Sequence, residues 1–321
     1  MTDHAFEELV RPCRNGLRLH CYRMLGSSHD ADDMVQETLV RAWRAMDTLD
    51  SPKAVRPWLY RIATNVCLDE LARRPKRAVP ASSGPFGDPN APPAPPSEQA
   101  WLEPCPDAWL GGTSGDPAAK VELKESVALA FIAALHLLTP PQRAVLLLRD
   151  VVGLTAEEAA TVLETSVSAS KSMLHRARAA VEERKVATDQ DIDPGLLTRY
   201  VHAWETADPE ALVALLHEEV VLAMPPSPTW FSGRIAVATF VRAYIVPRAR
   251  LQPVRLVRTG ANGAPAFAVY RQDWGVFRVE AIQVVRVGAG AVIGIDHFLL
   301  PEVFGAFGLP TTLAIDPQQF P

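Results

Sequence analysis

Between Val79 and Pro117 the chain reads VPASSGPFGDPNAPPAPPSEQAWLEPCPDAWLGGTSGDP, with ten of its 28 prolines, five acids and no basic residue. Proline fixes φ and removes a backbone donor, so this stretch can continue neither a helix nor a central strand. It reads as an extended connector, and the segments on either side read as separate domains. Trp101, Leu102, Trp109 and Leu110 stand amid its acids. Aromatics in such a place either dock on another surface or pack on one another.

Before the connector the apolar periodicity is helical. Phe6, Leu9, Val10, Cys13 and Leu17 recur at three- and four-residue steps. A break at GSSHD follows, with Asp30 expected as the N-cap of the next helix. Val35, Leu39, Ala42, Trp43 and Met46 form its stripe, and Val55, Leu59, Ile62 and Val66 form another, with Pro57 in that helix's first turn. After the connector come AKVELKESVALAFIAALHLL, PQRAVLLLRDVVG, and two short helices within GLTAEEAATVLETSVSASKSMLHRARAAVEERK. Thr155 and Glu158 have capping-box spacing, and the second of these helices is expected from about Ser168 to Glu182.

From Asp193 the pattern changes to helices alternating with β-like runs, punctuated by Asn262-Gly263 and by Gly288 to Gly290. Lysine also disappears after Lys185. The expected division is therefore a helical domain over 1–78, the acidic linker over 79–117, a second helical domain over 118–188 and an α+β domain over 193–315.

The net charge of −5 conceals an uneven distribution. Residues 1–78 carry 13 Lys and Arg against 11 acids, and 118–188 carry nine against eight, whereas 189–321 carry ten against 13. Whole-chain charge therefore argues neither for nor against nucleic acid. No run approaches the roughly 18 apolar residues of a membrane span, and the N-terminus has no apolar signal core. A cytoplasmic protein is expected. Four cysteines without C-x-x-C spacing point to reduced thiols, with no cofactor and no metal.

Three stretches carry chemistry. In the second short helix, Ser168, Ser170, Lys171 and Ser172 could meet base edges, and His175, Arg176 and Arg178 could meet phosphates. The same residues would also suit a solvated basic helix. In DADDMVQETLVRAWR, Asp33, Gln36 and Glu37 share one face, which suits either solvent or a basic protein partner. In RPWLYRIATNVCLDELARR, Arg56, Arg61, Arg73 and Arg74 interleave with Trp58, Tyr60 and Asn65. Aromatics beside cations are what unstacked single-stranded bases require, although Trp58 would equally serve as core.

These stretches, in this order around a Pro-rich gap, resemble a group IV (extracytoplasmic-function, ECF) bacterial RNA polymerase sigma factor of the sigma-70 family. The resemblance covers about residues 5–188 and implies a region 2 bundle and a region 4 helix-turn-helix. It implies that Asp33, Gln36 and Glu37 contact the polymerase β′ coiled coil, with β as a further subunit partner. Arg56, Trp58, Tyr60, Arg61 and Asn65 would melt and read the −10 element. Ser168, Ser170, Lys171, Ser172, His175, Arg176 and Arg178 would read the −35 element. Many members have VGTVKSRL where this chain has VSASKSML, so Ser168 replaces a glycine and Met173 a basic residue. The linker acids Asp88, Glu98, Glu103, Asp107 and Asp116 could mimic a phosphate chain within a basic channel.

Residues 193–310 are similar to the SnoaL-like cone of the nuclear-transport-factor-2-like superfamily, some of whose stand-alone members are cyclases or isomerases. In sigma factors such an extension implies regulation in cis. Trp204, Trp230, Tyr244, Tyr270 and His297 would line a pocket for a small ligand. Asp296 and His297 are neighbours on an expected strand, so only one should face inward. The expected protein is a sigma factor that binds core polymerase and promoter DNA, is not an enzyme, and is modulated by its C-terminal domain. The alternative is a SnoaL-like enzyme or ligand sensor tethered to DNA by a helix-turn-helix.

Overall fold

In a computed structural model, the residues described are 3–49, 51, 54–81, 84–111, 121, 123–183 and 192–314. The chain forms two compact units, one of Met1–Arg77 with Trp109–Lys185, the other of Ala78–Ala108 with Val186–Pro321. This differs from the sequence division in two respects. The two helical segments form one unit, and most of the Pro-rich connector belongs to the α+β unit.

The first half of the helical unit holds α1 (Asp3–Val10), α2 (Arg14–Leu25), α3 (Ser28–Arg44) and α4 (Val55–Arg73). Phe6, Val10, Leu17, Val35, Leu59 and Val66 meet in its core. The cap of α3 is Ser27, whose hydroxyl accepts from the Asp30 N–H at 3.0 Å. Asp30 lies inside the first turn instead, where its carboxylate takes Arg74 Nη1 at 2.8 Å and Arg77 Nη2. A serine hydroxyl three residues upstream thus displaces the expected cap, and Asp30 becomes the buried centre of an ion cluster whose Arg74 is half-exposed.

The second half holds α5 (Leu129–Leu135), α6 (Pro140–Leu146), α7 (Ala156–Val162) and α8 (Val167–Glu182). A π turn over Leu147–Val151 extends α6, and Gly153 follows at φ +81°. Both capping-box bonds of α7 form: the Thr155 N–H donates to Glu158 Oε2 at 2.7 Å, and the Glu158 N–H donates to Thr155 Oγ1 at 3.1 Å. That reciprocal pair fixes where the helix starts.

Arginine-to-carbonyl bonds join the two halves. Buried Arg143 donates to the carbonyls of Met24 and of Leu135, the latter at 3.0 Å. Arg23 donates to the Ser126 carbonyl at 2.9 Å and to its hydroxyl at 2.6 Å. At the end of α2, Gly26 adopts φ +71°, and a Cβ there would come within 2.6 Å of the His136 ring. The seam therefore requires glycine at this position on two counts.

The α+β unit packs α9 (Pro194–Glu205), α10 (Pro209–Ala214), α11 (Arg234–Phe240) and α12 (Val246–Leu251) on a mixed sheet. Its strands are β1 (Leu216–Ala223), β2 (Trp230–Ser232), β3 (Val254–Ala261), β4 (Ala264–Asp273), β5 (Val276–Gly288), β6 (Ala291–Phe298) and β7 (Thr312–Ala314). Their order is β2-β1-β6-β5-β4-β3, with β7 on β5 and only β1–β6 parallel. Asn262 and Gly263, both at positive φ, turn β3 into β4 as the Asn-Gly pair suggests. The helix-facing core includes Phe267, Val269, Ala281, Val285 and Ile295, together with Leu197, Tyr200 and Trp204 from α9.

The connector lies along this unit as an extended strap. The Gly87 N–H donates to the Trp230 carbonyl and the Ser97 N–H to the Pro226 carbonyl, both at 2.9 Å. Cys105 N–H reaches Asn262 Oδ1 at 2.9 Å, and Gly263 N–H reaches Asp107 Oδ1 at 2.8 Å. Trp101 and Leu102 are buried here. Trp109 is buried in the helical unit, with the Arg18 guanidinium 4.7 Å above its ring. Of the acids read as a phosphate mimic, Glu103 is buried and Asp107 anchors the β3–β4 turn. Asp116 lies outside the described residues.

Candidate polymerase, promoter and ligand sites

The first site lies where α3 runs beside α4. A groove of about 490 Å³ is lined by Asp33, Gln36, Glu37, Val40, Asp69 and Arg73, among others. Asp33 and Gln36 are exposed. Glu37 accepts from Arg41 Nε at 2.7 Å, and Arg41 Nη1 bonds Asp69 at 3.0 Å. These carboxylates raise the Arg41 pKa, chiefly through the Glu37 hydrogen bond and then that of Asp69. Half-exposed Val40 gives the groove an apolar wall. Acidic rims around an apolar strip suit a basic, amphipathic partner helix.

The residues expected at the −10 element sit differently in α4. Trp58 and Tyr60 are each only 6% exposed. The Trp58 indole donates to Thr48 Oγ1 at 3.2 Å, and Tyr60 packs edge-on to His20 with ring centroids 5.2 Å apart. Arg56 lies over the Tyr60 ring and donates to the Val152 carbonyl of the second half at 3.1 Å. Arg61 is exposed and Asn65 half-buried. In this conformation Trp58 and Tyr60 are core residues and Arg56 is occupied, so the five do not form one open surface.

Helix α8 presents a more coherent face. Ser166 caps it by accepting from the Ala169 N–H at 3.1 Å. Ser168, Lys171, Ser172, His175 and Arg176 are exposed, and the spacing 168, 171, 172, 175 places four of them on one side. Ser170 is buried at 1% exposure, which removes it from that face. Arg178 makes a two-pronged ion pair with Asp150, at 2.9 and 2.7 Å. It therefore reaches outward only by leaving a bidentate partner.

The five residues expected around one pocket do not converge. Trp204 and His297 meet inside the sheet, with parallel rings. Trp230 and Tyr244 lie beneath the strap: Phe86 packs on Trp230, whose indole donates to the Gly84 carbonyl at 3.0 Å, and the Tyr244 hydroxyl donates to the Asn90 carbonyl at 2.6 Å. Tyr270 is fully buried and donates to the Pro310 carbonyl at 2.8 Å. Asp296 pairs with Arg286 at 3.0 Å, while His297 bonds Gln283 at 3.1 Å.

Sequence reading missed Arg143, His136 and Gln283. Arg143 resembled one more cation on a polar helix face, and nothing local distinguishes a buried one. Gln283 did carry a signal, as a lone amide in the apolar run AIQVV. The buried histidines are held neutral. Burial, then the charge of Arg23, lowers the His20 pKa to about 3. Burial and then Arg143 lower that of His136 well below its ordinary value. Among the described residues no helix is long and apolar enough to cross a membrane.

A helical bundle with an acid-rimmed groove, a capped helix-turn-helix and an appended α+β cone together define a sigma-70-class factor with a SnoaL-like extension. The family models described as Sigma-70 region 2, Sigma-70 region 4 and SnoaL-like domain match residues 9–77, 128–181 and 197–294. The chain belongs to the ECF RNA polymerase sigma factors. It is 40% identical over 316 residues to the ECF RNA polymerase sigma factor SigG of Mycobacterium tuberculosis, covering 96% of this chain and 85% of that one. It is 30% identical over 224 residues to SigJ of the same species, covering 68% and 64%. The crystal structure of Mycobacterium tuberculosis SigJ superposes with a TM-score of 0.60 at 23% identity, covering 96% of this chain and all of that one, and so shares its fold. These relatives are sigma factors, which are not enzymes.

Proposed function

We propose that this sigma factor binds core RNA polymerase through the α3–α4 groove and directs initiation at promoters whose −35 element is read by α8. Asp33, Gln36 and Glu37 contact a helical, basic surface of the β′ subunit, and β receives the second helical half. Ser168, Lys171, Ser172, His175 and Arg176 meet the −35 major groove, with Arg178 joining when it leaves Asp150. Arg56, Arg61, Asn65, Trp58 and Tyr60 serve the −10 element, but only after region 4 withdraws. The protein acts in the cytoplasm, by binding rather than by catalysis.

One observation carries this reading: Arg56 is bonded to the Val152 carbonyl of the helix-turn-helix half, while Tyr60 beside it is buried. A factor in this state cannot offer region 2 to unpaired bases. The two halves must part, and the linker that joins them is strapped to the SnoaL-like domain by the bonds at Gly87, Ser97, Cys105 and Asp107. Modulation in cis thus works through the linker. While the strap stays docked, it limits how far regions 2 and 4 can separate.

Promoter-directed transcription with bacterial core polymerase tests this, comparing the full chain, a chain ending at Lys185, and a full chain with Trp230→Ala and Asp107→Ala to loosen the strap. The expected result is more transcript from both altered forms. Equal or lower output from the strap variant would remove the linker from the mechanism. No initiation by any form at any promoter would count against the polymerase assignment.

A further inference from the structure

Three hairpins of the sheet turn in the same way. Asn262-Gly263 joins β3 to β4 at φ +55° and +74°, Trp274-Gly275 joins β4 to β5 at +44° and +80°, and Ala289-Gly290 joins β5 to β6 at +52° and +71°. Two central residues at positive φ give the tight turn that matches the twist of the strands, and its first position favours Asn or Gly. Asn262 suits that position and Ala289 is small. A bulky side chain there is an outlier, held against backbone strain. Trp274 carries a second cost, because it is 95% exposed, more than any other large apolar residue described. The two neighbouring hairpins show that the turn requires no indole. A residue disfavoured both by its backbone and by its exposure points to contact with a partner.

The surroundings of the turn define the partner's chemistry. The Gln272 N–H donates to the Pro253 carbonyl at 2.9 Å, and Arg271 Nη1 donates to the Gln252 carbonyl at 3.1 Å. These bonds bring the end of α12, where Leu251 is 84% exposed, to the same end of the sheet. Arg278 pairs with Asp273 at 3.3 Å across the turn and stays exposed. Glu280 is shared between Arg248 at 2.7 Å and Arg271 at 2.8 Å. Arg250 is exposed and pairs with no described carboxylate. In this group four arginines therefore stand against two acids, and the protruding indole sits in a positive field. Patch size then separates the classes of partner. Two apolar side chains on a convex tip fall short of a stable protein interface, which takes about 800 Å² from each side. They fall short of a lipid surface too, where an entire helix face is immersed. An unpaired base asks for less: one aromatic face to stack on, and a cation for the adjoining phosphate.

We propose that the β4–β5 turn of the SnoaL-like domain is a contact site for single-stranded DNA, with Trp274 stacking on an unpaired base and Arg250 and Arg278 meeting the flanking phosphates. The choice of DNA rests on the promoter-opening role proposed above. Stacking reads no particular base, so the contact adds affinity for an opened strand without adding sequence preference.

The test uses the full chain, free of polymerase, and a fluorescent oligo-dT of about ten nucleotides, within the usual site size of such proteins. Anisotropy measures the affinity, and the Trp274 indole resonance of nitrogen-15-labelled protein reports the site. That resonance should shift saturably with oligo-dT, and little with a short duplex or with vesicles of phosphatidylcholine and phosphatidylglycerol. Trp274→Asn supplies the residue the turn prefers, so it should fold at least as well while binding oligo-dT about tenfold more weakly, the worth of one stacked base. Arg250→Gln should reduce the salt slope by about one ion. The comparison among probes uses the unaltered chain and stands even if a variant fails to fold. An unmoved Trp274 resonance, undiminished oligo-dT binding by Trp274→Asn, or a larger shift with duplex or vesicles overturns the proposal. Because no polymerase is present, such a failure leaves the transcription comparison untouched. A failed transcription comparison with a shifted Trp274 resonance would instead remove the sigma reading and keep the DNA contact.

Discussion

The guanidinium of Arg143 donates to the carbonyl of Met24, so a cation from the second helical half closes the C-terminal turn of α2 in the first. The same guanidinium bonds the Leu135 carbonyl and lies 3.4 Å from His136 Nε2. Burial pulls its pKa down to about 10, which leaves it charged at neutral pH. Its compensation comes from peptide dipoles, and an apolar side chain would leave two helix-end carbonyls without that donor.

Arg143→Met should therefore destabilise the helical unit by about 2–3 kcal/mol, the cost of stranding buried acceptors less the gain from removing a buried charge. Urea unfolding followed at a helical signal measures it. A change under about 0.5 kcal/mol would mean that the seam does not depend on this residue.

Acid should loosen the fold through its buried histidines. Each has a folded-state pKa below the unfolded value near 6.5, so the folded state excludes a proton that the unfolded state accepts. Their stabilisation is complete above pH 6.5 and is lost as pH falls, at about 1.4 kcal/mol per pH unit for each residue until its folded pKa is reached. For His20 the window runs from 6.5 to about 3. Unfolding free energies at pH 7.5, 6 and 5 should fall accordingly, and His20→Gln should flatten the slope by about one residue's share. An unchanged slope in that variant would show that His20 is not the group being protonated.

The Asp30 cluster gives a third expectation. Asp30→Ala takes this carboxylate from Arg77, whose side chain is 14% exposed, while half-exposed Arg74 turns to Glu70 and solvent. A loss of about 2 kcal/mol should appear as a lower melting temperature, smaller than for a fully buried pair because Arg74 is already wet.

Protease sensitivity reports on the strap. In the unaltered chain the backbone bonds at Gly87, Ser97 and Cys105 should protect residues 84–107 from cleavage. Gly87→Val should speed cleavage there several-fold, since even its Cβ would collide with Thr229 and come within 2.6 Å of the Phe231 ring. Equal digestion of both proteins would indicate that the strap is undocked in solution.

On promoter DNA, Lys171→Ala and Arg176→Ala should each weaken binding of the polymerase holoenzyme and reduce its salt slope by about one ion. Arg178→Ala should do less at low salt, because binding must first break its pair with Asp150. Fluorescence anisotropy across a salt series separates these cases. A larger effect for Arg178 than for Arg176 would reverse the assignment of the contact face.

Local sequence determined the elements and the family. The Thr155–Glu158 box and the Asn262-Gly263 turn each depend on residues a few positions apart, so neighbouring chemistry suffices to place them. The strings matched by the Sigma-70 region 2 and region 4 models were equally legible in their order. Tertiary structure decided which side chains are free. Trp58, Tyr60, Ser170 and Arg178 look available in sequence, but burial or an ion pair occupies them here, because availability depends on what packs above a residue rather than beside it. The strap follows the same rule. Proline content marks an extended chain without saying where it lies, because the backbone groups it docks on belong to residues distant in the sequence.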